Sequence, residues 1–236
     1  MENILNRWSV FYDKIVNPGV YGEVLKGLGN TVYIAVLGLI IGIVIGTLIA
    51  VVKVLPKYSR FVRVLDKICT VYVAFFRGTP MVVQLLVGYY VMLPLLGISI
   101  VSLQVCVIIF GLNSGAYVSE IMRSGIMSVD IGQTEAGRAL GLSYAVTMKK
   151  IIVPQAVKNI LPTLGNEFIS LIKETSVVSF VGALDLYKAF RNIGNSTYEY
   201  MMPYLVMAVV YILLILLISL CIKAMERRLR KSDRRN

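Results

Sequence analysis

The chain has 236 residues, 57% of them hydrophobic and 16% charged, with a formal net charge of +11. That much apolar surface excludes a soluble domain of this length and points to a polytopic membrane protein. The basic residues flank apolar runs and form no stripe with interleaved aromatics, which argues against nucleic acid as their partner.

Residues 1–28 contain Glu2, Arg7, Asp13 and Lys14, which interrupt any signal-peptide core. Trp8, Phe11, Tyr12 and Ile15 recur at helical spacing. We read this segment as a short amphipathic helix at the membrane surface. Cys69, Cys106 and Cys221 all fall in apolar runs with no CxxC spacing, so they read as small buried hydrophobes. With no histidine in the chain, a metal site is not expected.

A span needs roughly 20 apolar residues to cross about 30 Å of hydrocarbon. Lys26 and Lys53 bracket the first one, which carries Gly38, Gly42 and Gly46 on one helix face. Small residues at that spacing permit close helix packing within a bilayer. An amphipathic approach helix follows, with Lys57, Arg60, Arg63 and Lys67 on it. The run Arg77-Gly78-Thr79-Pro80 breaks the pattern, and a second span continues from Met81 to Leu96. Pro94 and Gly97 predict a tight turn. The third span runs from about Leu103 to Arg123. The fourth runs from Asn159 to Gly182, with Glu167, Lys173 and Glu174 inside it. Asp185 to Met202 reads as a loop, and Pro203 to Ile222 as the fifth span.

The fold class expected is therefore all-α, with five transmembrane helices in residues 29–225 and a basic tail in 226–236. Basic residues crowd one set of loops, around Lys53, Arg123, Lys149 and Arg227, and are sparse on the other. The positive-inside rule then puts the N-terminus outside and the C-terminus in the cytoplasm.

Residues 128–158 are too polar and too long for a simple connection. They read as two short helices with Gly141 at the bend. Within them stand Glu135-Ala136-Gly137, then Gly141-Leu142, then Ile151, Val153 and Pro154. This spacing resembles the EAA loop of ABC importer permeases. Gly137 stands where that pattern has a second Ala, and Val153 where it has Leu. The alternative is a plain amphipathic cytoplasmic hairpin.

Further motifs resemble the polar amino acid uptake permeases. They are Arg77-Gly78-Thr79-Pro80 with Gln84, Asn113-Ser114-Gly115-Ala116-Tyr117 with Glu120 and Arg123, and Asn166-Glu167-Phe168-Ile169. The resemblance covers nearly everything from Gly29 to Arg230. It implies a type I (MetI-like) ABC importer transmembrane domain in a bacterial cell membrane. It implies that Glu135, Ala136, Gly137, Gly141, Leu142, Ile151 and Pro154 couple to two copies of a separate ATPase, which holds the ATP and Mg. It also implies a second permease chain, identical or paralogous, and an extracellular or periplasmic solute-binding protein. No GxxxxGK[ST] occurs, so no nucleotide is expected on this chain.

Ionisable groups within spans are costly and usually serve a pathway or a partner. Glu167 has no cation three or four residues away, so it is the candidate for a cationic group of the substrate. Lys173 and Glu174 are balanced between mutual pairing and function. The helix restarting after Gly78-Thr79-Pro80 would offer free N–H groups to an α-carboxylate. Gln84, Asn113, Ser114 and Tyr117 complete the expected substrate site. A cationic amino acid is expected, with cystine, glutamine or glutamate as alternatives. An ion-coupled secondary transporter is the competing function, and it leaves the EAA spacing unexplained.

Overall fold

The computed structural model describes residues 2–233, with side chains for residues 4–229, and every regular element in it is helical. Arg230, Lys231, Arg234 and Arg235 of the expected basic tail contribute no side chain to this description.

Helix α1 (Glu2–Ile15) is amphipathic as its spacing predicts: Phe11 is buried, while Trp8 and Tyr12 are exposed. Helix α2 (Pro18–Val54) starts at Asn17, whose side chain accepts the Gly19 N–H, with Pro18 pre-set at the first position. At 1.5 Å per residue α2 is about 55 Å long, so it extends well beyond the hydrocarbon.

Helix α3 (Arg60–Gly78) exposes Phe61, Val64, Ile68, Val71 and Phe75 on one face. It meets α4 (Met81–Leu95) at a 106° bend centred on Thr79 and Pro80. Pro80 removes the backbone donor that a continuous helix would need there. The expected turn at Gly97 is present, with φ +65 and the Ile98 N–H bonded back to Leu93 O.

Helix α5 (Ser102–Met127) is the main partner of α2. A Cβ on Gly42 would lie 2.6 Å from Ser114 Oγ, and one on Gly46 2.8 Å from the Ser119 nitrogen. The contact is reciprocal, since Gly111 faces Ile41 and Gly115 faces Ile45. Small residues on both helices let the two backbones approach.

Two short helices, α6 (Ile131–Ala139) and α7 (Tyr144–Thr147), form the polar loop. A π-helical turn (Met148–Ile152) leads into α8 (Val153–Glu174), with Pro154 in its first turn, and a 3-10 turn (Thr175–Val181) ends it. Leu171, Ile172, Val178 and Val181 join Ile34, Leu85 and Phe110 in the principal core.

Two features of the chain differ from what its sequence leads one to expect. The segment read as a loop after Asp185 contains helix α9 (Leu186–Thr197). Asp185 caps it by accepting the Tyr187 and Lys188 N–H groups, at 3.1 and 2.9 Å. Leu186, Phe190 and Ile193 bury against Phe11 and Met202. Its apolar stripe is short and interrupted by Lys188 and Arg191, so the segment lacks the signal of a span. The cysteines also differ from expectation. Cys106 is buried, whereas Cys221 is exposed on α10 (Met201–Asp233).

Among the described residues three helices are long and apolar enough to cross a membrane, and the bent α3–α4 pair makes a fourth if it is counted as one span. The expected fourth span, α8, has 22 residues. Lys158, Glu167, Lys173 and Glu174 hold it below that level of apolarity, although its other face packs on Val118 of α5.

Candidate functional site

The loop from residue 128 to 158 is a built knob. Asp130 caps α6 by accepting the Gly132 N–H at 2.6 Å. At the far end Leu142 N–H bonds to Gly137 O and Gly141 N–H to Arg138 O, each at 2.9 Å. This double return requires a left-handed residue between them, and Gly141 has φ +73. Ser143 then starts α7, accepting the Val146 N–H. The two helices meet where Gly137 faces Thr147: a Cβ on Gly137 would lie 2.7 Å from Thr147 Oγ1. Gly137 in place of the second Ala therefore answers to packing within this knob.

The knob is tied to the spans at two points. Tyr144 Oη donates to Val54 O at the end of α2, at 3.2 Å. Asn159 Nδ2 donates to Ser128 Oγ at 2.9 Å, closing the base. Glu135, Ala136, Gly141 and Leu142 are exposed, Ile151 is half-buried, and Pro154 is exposed at the start of α8. Leu140 is 78% exposed at the tip. A polar knob presenting Leu140 and Leu142 to solvent has the character of a docking surface.

The second cluster lies between α3, α4, α5 and α8. Ser114 is fully buried, and its Oγ donates to Glu167 Oε1 at 3.0 Å. Asn113 Nδ2 donates to Gln84 Oε1 at 2.9 Å. Gln84 Nε2 in turn reaches Phe76 O at 2.8 Å, Thr79 O at 3.0 Å and Thr79 Oγ1 at 2.9 Å. Thr79 Oγ1 also donates to Phe75 O. Gln84, Asn113 and Thr79 thus satisfy the carbonyls that the helix break frees. Gly78 is exposed, with open space on its Cβ side. The restarting helix α4 has no side-chain cap at Pro80.

Tyr117, one turn along α5 from Asn113, carries the Arg77 guanidinium 5.4 Å from its ring centroid. Arg77 and Tyr117 open on a cavity of about 380 Å³ that Glu120, Ser124, Asn159 and Thr163 also line. Glu120 is already held by Lys53 Nζ at 3.1 Å and by Arg123 Nη2 at 2.8 Å. Lys173 makes no ion pair with Glu174 and lines a separate cavity of about 430 Å³ with Ser176, Tyr187 and Tyr211. The expected residues Glu167, Ser114, Asn113, Gln84 and Thr79 are therefore brought together. Arg77, not among the residues expected from the sequence, lines the cavity beside Tyr117. An uncompensated cation beside an intramembrane break was the available signal.

A helical transmembrane subunit with a glycine-bent polar knob and a polar cluster inside its spans is of the permease class that serves type I ABC importers. The chain belongs to the family described as the binding-protein-dependent transport system inner membrane component, which matches residues 38–231. It is 39% identical over 210 residues to the arginine transport system permease protein ArtQ of Bacillus subtilis (strain 168), covering 89% of this chain and 94% of that one. It is 41% identical over 206 residues to a Rickettsia bellii (strain RML369-C) permease named for glutamine transport, GlnP, covering 87% and 92%. Among solved structures, an amino acid ABC transporter crystallised with histidines superposes with a TM-score of 0.81. It is 38% identical, and the match covers 88% of this chain and 94% of that one.

Proposed function

We propose that this chain is the permease subunit of an ATP-driven amino acid importer in a bacterial plasma membrane. The observation that carries this reading is the exposed knob at Glu135–Pro154, built on an α2–α5–α8 core and tied to the end of α2 through Tyr144. The names of the arginine and glutamine relatives and of the solved neighbour support an amino acid as cargo.

In this reading the basic end, with Lys53, Arg123 and the knob, faces the cytoplasm, and the N-terminus lies outside. Glu135, Ala136, Gly137, Gly141, Leu142, Ile151 and Pro154 form the docking surface for an ATPase present in two copies. ATP and Mg sit on that partner. A second permease chain completes the pathway, and a solute-binding protein delivers the cargo from outside.

Glu167 takes a cationic group of the substrate, with Ser114 orienting its carboxylate. Arginine, lysine or histidine then suits the site best. Nucleotide-driven closure of the ATPases moves the knob, and the Tyr144–Val54 and Asn159–Ser128 contacts carry that motion to α2, α5 and α8.

The test is ATP hydrolysis by the complex reconstituted in liposomes with its ATPase and binding protein. Addition of single amino acids should raise hydrolysis several-fold for the cognate one. Uptake that runs on an ion gradient without ATP, with no amino acid raising hydrolysis, would overturn the proposal.

A further inference from the structure

We infer that Arg77 is the carboxylate anchor of the substrate site, in a cavity one helical turn toward the basic end from Glu167. This rests on the amino acid reading above. It relocates the group that the restarting helix was expected to hold, because the side chains at the break are already committed. Thr79 Oγ1 is engaged by both Gln84 Nε2 and Phe75 O, and Gln84 is bonded to Asn113. The side chains of the break are thus engaged with one another, while the backbone N–H groups that start α4 have no side-chain cap.

Arg77 is the opposite case. Among the described residues no carboxylate lies within ion-pair distance of it, and its one recorded partner is the face of Tyr117. Tyr117 stands about 15 Å from the Met127 end of α5 at 1.5 Å per residue. Arg77 therefore stands inside the helix length, about one turn from the Lys53–Glu120–Arg123 cluster, with its side chain exposed to the cavity. A cation without a counter-ion at that depth is expensive unless water or a ligand reaches it. Beside the ring, the guanidinium N–H donors of Arg77 make no hydrogen bond among the described residues and are available to a ligand. Those donors match a carboxylate in a two-point contact.

The surroundings agree. The cavity beside Arg77 measures about 380 Å³, ample for one amino acid, and Ser124, Asn159 and Thr163 offer neutral hydrogen-bonding groups. Its one carboxylate, Glu120, is spent on Lys53 and Arg123, so the cavity carries surplus positive charge and suits an anionic group. Thr163 precedes Glu167 by one turn on α8, and Tyr117 follows Ser114 by about one turn on the antiparallel α5. Both steps lead toward the basic end, so the Arg77 cavity begins about one turn beyond the Ser114–Glu167 pair, whose own side chains do not line it. A zwitterion laid from the cavity toward that pair presents its carboxylate to Arg77 and a cationic group to Glu167.

The experiment uses the complete permease–ATPase complex in lipid nanodiscs, without nucleotide or binding protein. The twenty protein amino acids and L-cystine are ranked by binding calorimetry. The strongest binder is then compared with its own methyl ester on the wild type, Arg77→Gln, Arg77→Lys and Glu167→Gln. Retention of the ATPase on each purified variant certifies assembly.

The expected result is that the wild type binds the acid at least about tenfold more tightly than the ester. Arg77→Gln should bind the two alike, Arg77→Lys should keep part of the preference, and Glu167→Gln should weaken both equally. Equal binding of acid and ester by the wild type, a preference that survives in Arg77→Gln, or no binding of any of the amino acids would overturn the assignment. If cognate-stimulated ATP hydrolysis persists in that case, Arg77 alone has been misassigned. If it is also absent, the amino acid reading itself has failed.

Discussion

Gly137 and Thr147 meet face to face across the bend at Gly141, with 2.7 Å between Thr147 Oγ1 and the place a Cβ would take. Thr147 is 2% exposed and its hydroxyl is bonded to Ser143 O at 3.2 Å, so it has nowhere to move. Gly137→Ala, which restores the commoner motif residue and gains helix propensity, should therefore destabilise the knob by about 1–3 kcal/mol. Pairing it with Thr147→Ala should recover most of the loss. Thermal unfolding of the detergent-solubilised chain and its ATPase binding check this. An increase in stability from Gly137→Ala alone would contradict the packing.

Glu167→Gln keeps the shape and the contact with Ser114 but removes the charge. Uptake of a cationic amino acid in proteoliposomes should fall by about tenfold or more, which corresponds to roughly 1.4 kcal/mol of lost interaction. Unchanged uptake would rule out Glu167 as the cation reader.

Glu120 sits between Lys53 and Arg123, with side chains only partly exposed at 20%, 13% and 35%. Glu120→Gln leaves two cations facing each other where α2 meets α5. The expected cost is on the order of 1–3 kcal/mol in thermal unfolding, below the fully buried limit because water still reaches the site. The exchanged pair Lys53→Glu with Glu120→Lys should recover part of it.

Asp185, between α8 and α10, gives a pH signature. Burial pushes its carboxyl up to about 6 from an ordinary 3.8, against the opposing pull of the Lys188 and Tyr187 N–H groups. The folded chain therefore holds this proton more tightly than the unfolded chain. Stability from this group is full below about pH 4 and is lost as pH rises through about 6. Asp185→Asn keeps a good cap and should flatten that slope in unfolding curves between pH 4 and 7. A variant with the wild-type slope would place the titration elsewhere.

Much of this architecture is legible in the residues. The glycine stripe at 38, 42 and 46 marks the α2 face that α5 fills, and Pro80 marks the 106° bend. Gly141 marks the left-handed turn of the knob. These are signals that one residue type and its spacing carry alone. Helix α9 was not legible, because its stripe depends on partners distant in sequence, Phe11 and Met202. The polar cluster was legible as a set of polar residues in apolar spans, but not in its division of labour. That Gln84 and Asn113 serve the break while Arg77 lies against Tyr117 follows only from which carbonyls the bend exposes and which ring it meets. Likewise Gly137 reads as a weak helix residue until Thr147 is seen against it.

The most direct measurement is co-purification of the ATPase with the solubilised chain and with a variant whose residues 135–154 are replaced by a Gly-Ser linker. The intact chain should retain the ATPase through size-exclusion chromatography, and the linker variant, checked for monodispersity, should lose it. An ATPase that remains bound to the linker variant, or never binds the intact chain, would contradict the assignment of this knob as the docking surface.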